Sequence, residues 1–463
     1  MTKYKNNIII YTFTIISSIL LIPQIRIVII DFIGTISHHY AKDPEWWSDW
    51  MFPFIFCFFS CCTMTLVYTH SKTTLFFKNL RDNLFQTTLI LFFFISNIQI
   101  SLNGNFKGYA NIWDFADFTS AIIHYGNVQS LYGTNYPPLA VLIFKLMYQL
   151  IPTATIENSY AINYVLTLYI LIVTISLLIL FQKLFEFKKK QSTILSISLF
   201  LSGPILFTYQ RMNLMFIALI FTLIFYIYYQ SQNKYLKEIA IISLAIAANI
   251  KLFPAIFGLL LIKSRQKNLT IRCIIYGICL FALPVLISNG NTTHAPSEIA
   301  NFYNSSTQFA STNYYLTICI SLKAIVYRFL NHYNYLVTNT LLNISLIIST
   351  IIIIACFFIT KKKYQEYLLL VFLCVLLPTT SFWYSLVFFI IPIVEFEKTK
   401  TDAIVDYITL WLFSFIFVYV VGYWDILQPH AFWHLGLLLI LTISDIIANY
   451  LKHTIIQKQT IHN

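Results

Sequence analysis

The sequence predicts an all-α polytopic membrane protein with about twelve to fourteen transmembrane helices. Three observations carry that class. Apolar residues make up 58% of the 463-residue chain and charged residues only 10%, where soluble domains carry about a quarter charged. Apolar runs long enough to cross a hydrocarbon core of roughly 30 Å recur along the whole length. Basic residues gather in short clusters between alternate runs, as they do in loops kept on the cytoplasmic side. Barrel strands are shorter and alternate in polarity, so continuous runs of this kind exclude that architecture.

The clusters set the path of the chain. They hold 22 of the 30 Lys and Arg residues, among them Lys188-Lys189-Lys190, Lys263 with Arg265, and Lys361-Lys362-Lys363. Keeping each one inside predicts both termini in the cytoplasm and spans near 8–30, 52–69, 86–103, 161–183, 193–208 and 212–229. Further spans follow near 271–288, 336–359, 366–380, 383–396, 404–422 and 432–450. The run from Ile8 to Ile30 is longer than a signal-peptide core and lacks a small-residue cleavage site, so it reads as a retained helix. The net charge of +12 follows from this topology. No basic stripe interleaved with exposed aromatics points to nucleic acid.

Two shorter apolar pieces, 239–249 and 252–263, meet at Asn249, Lys251 and Pro254. Each is too short to span as a helix, and basic residues flank the pair on both sides. A re-entrant pair of half-length helices is predicted, with its polar turn lining a cavity. The topology leaves two large outer regions, 104–160 and 291–335. The first ends in Tyr136-Pro137-Pro138 and an apolar stretch, 139–152, containing Lys145. Counting that stretch as a span would reverse the later basic loops, so it reads as an interfacial helix on the outer leaflet. The eight cysteines lie almost entirely in apolar runs without paired CxxC spacing, and read as packing residues rather than metal ligands.

Candidate chemistry gathers at the outer face. Asp114 and Asp117 stand three residues apart, so one helical turn would point both the same way, toward a shared metal, a base role or a sugar hydroxyl. The plainer alternative is a loop acid capping a short helix. Arg211, Lys251 and Arg328 fall outside the cytoplasmic clusters and are predicted near the outer face, where they can converge on a phosphate. Snorkelling or pairing with outer-loop acids would also place them there. His124 is a second-rank substrate contact. Trp383, beside Tyr384, reads as an interface anchor or a platform for a sugar or lipid head. Walker, GxGxxG, HExxH and GxSxG patterns are all missing, which removes nucleotide hydrolysis, protease and lipase chemistry.

Taken in order, these stretches resemble the GT-C superfamily of integral-membrane glycosyltransferases, and most closely its GT87 (DUF2029) group. Asp114 to Ala121, then Gly126, Tyr132 and Tyr136-Pro137-Pro138-Leu139, look like that group's outer loop with its catalytic Asp. Gln210 to Asn213 resembles its Gly-Gln-x-Asn turn, with Tyr209 where the group has Gly and with Arg211 intruding. Ala245 to Pro254, with Lys251, resembles Ala-x-Lys-x-x-Pro. Leu377 to Val387 resembles a late Ser-Pro-x-x-Trp stretch, with Phe382 before Trp383 and no His after it.

The resemblance implies an inverting, metal-independent transfer of a hexose or pentose, mannose-like by preference, from a polyprenyl-phosphate donor to a lipid or glycan acceptor. Asp114 would be the base, with Asp117 the second candidate. Lys251, Arg211 and Arg328 would hold the carrier phosphate, and Tyr136, Gln210, Asn213, His124 and Trp383 would line the substrate site. No cofactor is implied. The partners are the donor, the acceptor and membrane lipids. The location implied is the plasma (inner) membrane, with the site on its extracytoplasmic side. Residues 1–85 form two additional N-terminal spans, 86–290 the catalytic module, and 291–463 the second outer loop and the last helices. A polymerase or ligase of lipid-linked glycans is the nearest alternative. A transporter or flippase is a different class, disfavoured because it would show repeated halves and midplane charges.

Overall fold

The computed structural model describes residues 83–90, 118, 121–122, 136–150, 159–185, 189–211, 213–289, 300, 303–304, 316, 319–332, 338–378, 381–400, 404–417 and 434–452. The predicted spans near 8–30 and 52–69, and most of 86–103, lie outside these residues. What is described is helical throughout. The first elements are α1 (Pro138–Gln149), α2 (Ser159–Leu184), α3 (Lys189–Phe200), α4 (Gly203–Arg211), α5 (Met215–Tyr228) and α6 (Lys234–Ile250). A 3-10 helix, Phe253–Gly258, then leads into α7 (Leu259–Lys263) and α8 (Lys267–Asn289). After these come α9 (Leu322–His332), α10 (Asn339–Ile359), α11 (Lys363–Leu376), a second 3-10 helix (Trp383–Phe389), α12 (Ile390–Thr399) and α13 (Ile404–Phe417). The last, α14, is His434–Lys452.

Among the described residues four helices are long and apolar enough to cross a membrane: Val165–Leu184, Lys267–Pro284, Asn339–Ile359 and His434–Lys452. Their apolar side chains are not all packed inward. Ile172, Ile175 and Ile179 on α2, Ile271, Ile274 and Ile278 on α8, and Ile344, Ile347, Ile348 and Ile351 on α10 are exposed at helical spacing. In water such stripes would be costly, whereas in hydrocarbon they are the ordinary outer surface. The core lies between α5, α11, α12 and the second 3-10 helix, where Phe225, Phe372, Phe388 and Phe389 are fully buried. The chain is thus an all-α protein with several helices suited to membrane spanning.

Prolines place the breaks. A proline ring excludes the carbonyl four residues earlier from a helix. Pro204 and Pro254 each follow a helix whose last residue, Phe200 or Ile250, is that residue. The sequence reading of 193–208 as one span is corrected on this point: α3 and α4 are separate helices. The predicted span 383–396 is likewise divided, because Pro392 is tolerated in the first turn of α12 but not further in. The preceding residues wind instead as the tighter 3-10 helix Trp383–Phe389.

Two helices meet at the junction expected for the re-entrant pair, but the first, 17 residues long, is longer than the sequence reading of 239–249. Helix α6 begins at Lys234, where the Asn233 side chain accepts the Tyr235 N–H at 2.9 Å. Its polar first turn was invisible to an apolar criterion. The second arm is the short 3-10 helix continued by α7.

Basic residues from separate loops meet at one end of the bundle. Lys183 donates to the Tyr228 hydroxyl. The Tyr226 hydroxyl donates to Glu395 Oε2 at 2.5 Å, and Lys398 lies 3.7 Å from the same oxygen. Lys263 reaches Glu366 at 2.8 Å, and Lys362 reaches Asp445 at 2.6 Å. Helix α6 starts at this end and finishes at the other.

Candidate functional site

Lys251 follows the last residue of α6 and leaves the helix in an extended conformation, φ −140° and ψ 128°. Its N–H still reaches the Ala247 carbonyl at 3.0 Å, but its side chain is released from the helical repeat. Pro137 and Pro138 meanwhile start α1, with the Ala140 N–H bonded to the Pro137 carbonyl at 2.9 Å. Helix α1 packs against α6 and α8, which carries Tyr136 to the open end of α6. The Lys251 ammonium stands 4.2 Å from the Tyr136 ring centroid. The edge-on ring of Phe144, 5.5 Å away, steadies Tyr136 from its own helix. A cation over an aromatic face contributes about 0.5–1 kcal/mol when exposed and about 2 when desolvated. Both residues are half-buried.

The second 3-10 helix backs this turn. Phe253, two residues beyond Lys251, meets Phe388 edge-on at 5.5 Å, and the Cys374 thiol donates to the Phe253 carbonyl at 3.3 Å. At its other end the same 3-10 helix packs on α4, with Trp383 and Tyr384 5.4 Å and 6.2 Å from Phe207. Arg211 is the last residue of α4. The Ile320 N–H donates to the Ser381 carbonyl at 2.6 Å, and Arg328 reaches the Cys319 carbonyl at 3.4 Å. Helix α4, which ends at Arg211, the 3-10 helix that follows Lys251, and the segment held by Arg328 therefore meet one short element.

Individual side chains differ from their expected uses. Asn213 is buried, its amide oxygen accepting the Met215 N–H at 2.7 Å and its carbonyl accepting the Tyr169 hydroxyl at 2.8 Å; these bonds hold the turn before α5. Tyr209 points its hydroxyl to Thr174 at 2.7 Å and its ring to Phe216, so it clasps α2 and α5. Gln210 lies in the last turn of α4. Trp383 is 4% exposed, and its indole N–H has no hydrogen-bond partner among the described residues, an arrangement that costs about 1–3 kcal/mol. Its ring is tilted 55° against that of Phe207. Burial pushes the Cys319 thiol up to about 12, with Arg328 pulling weakly against it. Asp114, Asp117 and His124 lie outside the described residues. Groups of three or more potential metal ligands are not found among the described residues.

The sequence model described as Glycosyltransferase family 87 matches residues 134–388, more than half of the chain. The protein belongs to that family. It is a glycosyltransferase, and its all-helical architecture with several membrane-length helices agrees with a GT87 enzyme. The match opens two residues before Tyr136 and closes inside the second 3-10 helix. Tyr136, Gln210, Arg211, Asn213, Lys251, Arg328 and Trp383 all fall within it, whereas Asp114, Asp117 and His124 precede it. Comparison with curated proteins and with solved structures gave no match.

Two contributors to this site were not singled out by sequence. Phe207 of α4 packs on Trp383 at one end of the second 3-10 helix, and Phe388 within that helix packs on Phe253, but in so apolar a chain a single Phe carries no local signal.

Proposed function

We propose that the enzyme transfers a mannose-like hexose, or a pentose, from a polyprenyl-phosphate donor to a lipid or glycan acceptor at the outer face of the membrane. The supporting observation is the Lys251 ammonium held over Tyr136 at the break of the re-entrant pair. That places a cation at a helix end facing away from the cluster of basic loops. A lipid-linked donor presents an anionic phosphate that such a cation can bind through charge-assisted hydrogen bonds.

In this reading the acceptor hydroxyl gives its proton to the Asp114 carboxylate, or to Asp117, as its oxygen attacks the anomeric carbon. The bond from that carbon to the phosphate oxygen breaks from the opposite face, which inverts the centre. The charge gathering on the leaving phosphate falls to Lys251, with Arg211 and Arg328 as further cations. Tyr136, Gln210, Asn213, His124 and Trp383 line the substrate, Asn213 by fixing its turn and Trp383 through its indole N–H. The catalytic module spans residues 86–290, preceded by two further spans in 1–85 and followed by 291–463. The enzyme resides in the plasma membrane.

The test is transfer by purified enzyme from radiolabelled polyprenyl-phosphate mannose and from the arabinose form. Activity with one of them, lost in Asp114→Asn, is expected. Turnover with neither, or an Asp114→Asn variant as active as wild type, removes that donor class or that base respectively.

A further inference from the structure

Helices α6 and α8 are tied at three points. Near the start of α6, Glu238 accepts from Arg272 at 2.6 Å and from the Tyr276 hydroxyl. One turn later, the Cys273 thiol donates to the Ile241 carbonyl at 3.6 Å. At the far end the Asn249 amide nitrogen donates to two carbonyls, Ala245 in its own helix at 2.8 Å and Gly277 in α8 at 3.0 Å.

Asn249 is 4% exposed and lies in the last turn of α6, where the helix runs out of its own hydrogen bonds. A buried amide in an apolar layer is costly unless its donors are used. Here both donors of one nitrogen are used, and the second joins a different helix. Two residues later the chain turns extended at Lys251, so the direction in which the lysine leaves is set by where that last turn is held. The opposite partner, Tyr136, is carried by α1, which packs on α6 and α8 together. A small rotation of α6 against α8 would therefore move the ammonium relative to the ring.

We infer that Asn249 is a positioning residue: its bond to the Gly277 carbonyl fixes the end of α6 so that the Lys251 ammonium is aimed at the donor phosphate. The inference rests on the phosphate role proposed for Lys251. It adds to that role a residue that touches no substrate and acts only through the lysine.

The experiment measures binding of polyprenyl phosphate without sugar, which avoids any assumption about the sugar, to full-length enzyme in nanodiscs. Four variants are compared with wild type: Lys251→Ala, Asn249→Leu, the double variant, and Glu238→Gln as a break of the same helix pair at its other end. Lys251→Ala should weaken binding about tenfold or more, as loss of a hydrogen bond from a charged group does, and Asn249→Leu should weaken it about tenfold and by no more than Lys251→Ala. The double variant should bind no more weakly than Lys251→Ala alone, and Glu238→Gln should lower thermal stability without changing affinity. Asn249→Leu binding as wild type while melting earlier would make Asn249 simple helix glue and overturn the inference. Additive losses in the double variant would also overturn it, because Asn249 would then act elsewhere. Lys251→Ala binding as wild type would sink the phosphate role itself, whatever Asn249 does. Should Asn249→Leu not purify as folded protein, Asn249→Ser takes its place with the same expected outcomes.

Discussion

The Lys251 ammonium and the Tyr136 ring face each other at 4.2 Å, joining the residue that ends α6 to the one just before the N-cap of α1. The contact needs the ring and not the hydroxyl. Tyr136→Phe should therefore keep donor affinity, and Tyr136→Leu should raise donor KM about five- to thirtyfold, the equivalent of about 1–2 kcal/mol. Steady-state kinetics with varied donor and saturating acceptor decide it. Equal effects of Phe and Leu would move the role to the hydroxyl.

Asp114→Asn should lower turnover about a hundred- to ten-thousandfold, the span typical of losing a general base. Binding of polyprenyl phosphate should stay at the wild-type level, because the base faces the acceptor. Single-turnover assays alongside binding separate the two. Loss of binding equal to loss of turnover would place Asp114 elsewhere.

A thiol reacts through its thiolate, and burial holds Cys319 protonated up to about pH 12. In a variant keeping only this cysteine, alkylation should be very slow at pH 7 and rise with each step toward pH 9. Arg328→Ala removes a charge that favours the thiolate, so it should slow the reaction further. Faster labelling in that variant would show that Arg328 shields Cys319 rather than acting on its charge.

Lys263 caps the end of α10. Its ammonium donates to the carbonyls of Phe357 at 2.5 Å and Thr360 at 2.8 Å while pairing with Glu366. Lys263→Met leaves those carbonyls short of a donor and should cost about 2–4 kcal/mol, seen as a clear fall in melting temperature. Glu366→Gln keeps the two carbonyl bonds and should cost less. The reverse order would make the ion pair the principal tie.

Much of this arrangement was legible in the sequence, and the limits are physical. Apolar runs placed α2, α5, α10 and α11 because lipid demands continuous hydrophobic length. Tyr136-Pro137-Pro138 placed the start of α1, and Lys251 with Pro254 placed the turn between α6 and the first 3-10 helix, since proline acts locally. The break between α3 and α4 was missed although Pro204 was in view, because the surrounding run stays apolar on both sides. The 3-10 winding of Trp383–Phe389 follows from Pro392, which lies further along the chain. The first turn of α6 was missed because its lysines and Glu238 are polar, although Asn233 marks the start. Asn249 stood at the predicted junction, yet its partner Gly277 comes from a later helix, and such pairing leaves no trace in spacing. The carboxylates Asp114 and Asp117 rest on the sequence alone.

Lys263 also has a bearing on how the chain assembles. Among the described residues, the atoms it holds belong to Phe357, Thr360 and Glu366, all of which leave the ribosome long after α7 does. The latch at Lys263 is therefore completed only once α10 and the start of α11 have been synthesised. A nascent chain arrested before Asn339 would already hold the end of α6 to α8 through Asn249 and Gly277, while Lys263 still lacked its partners.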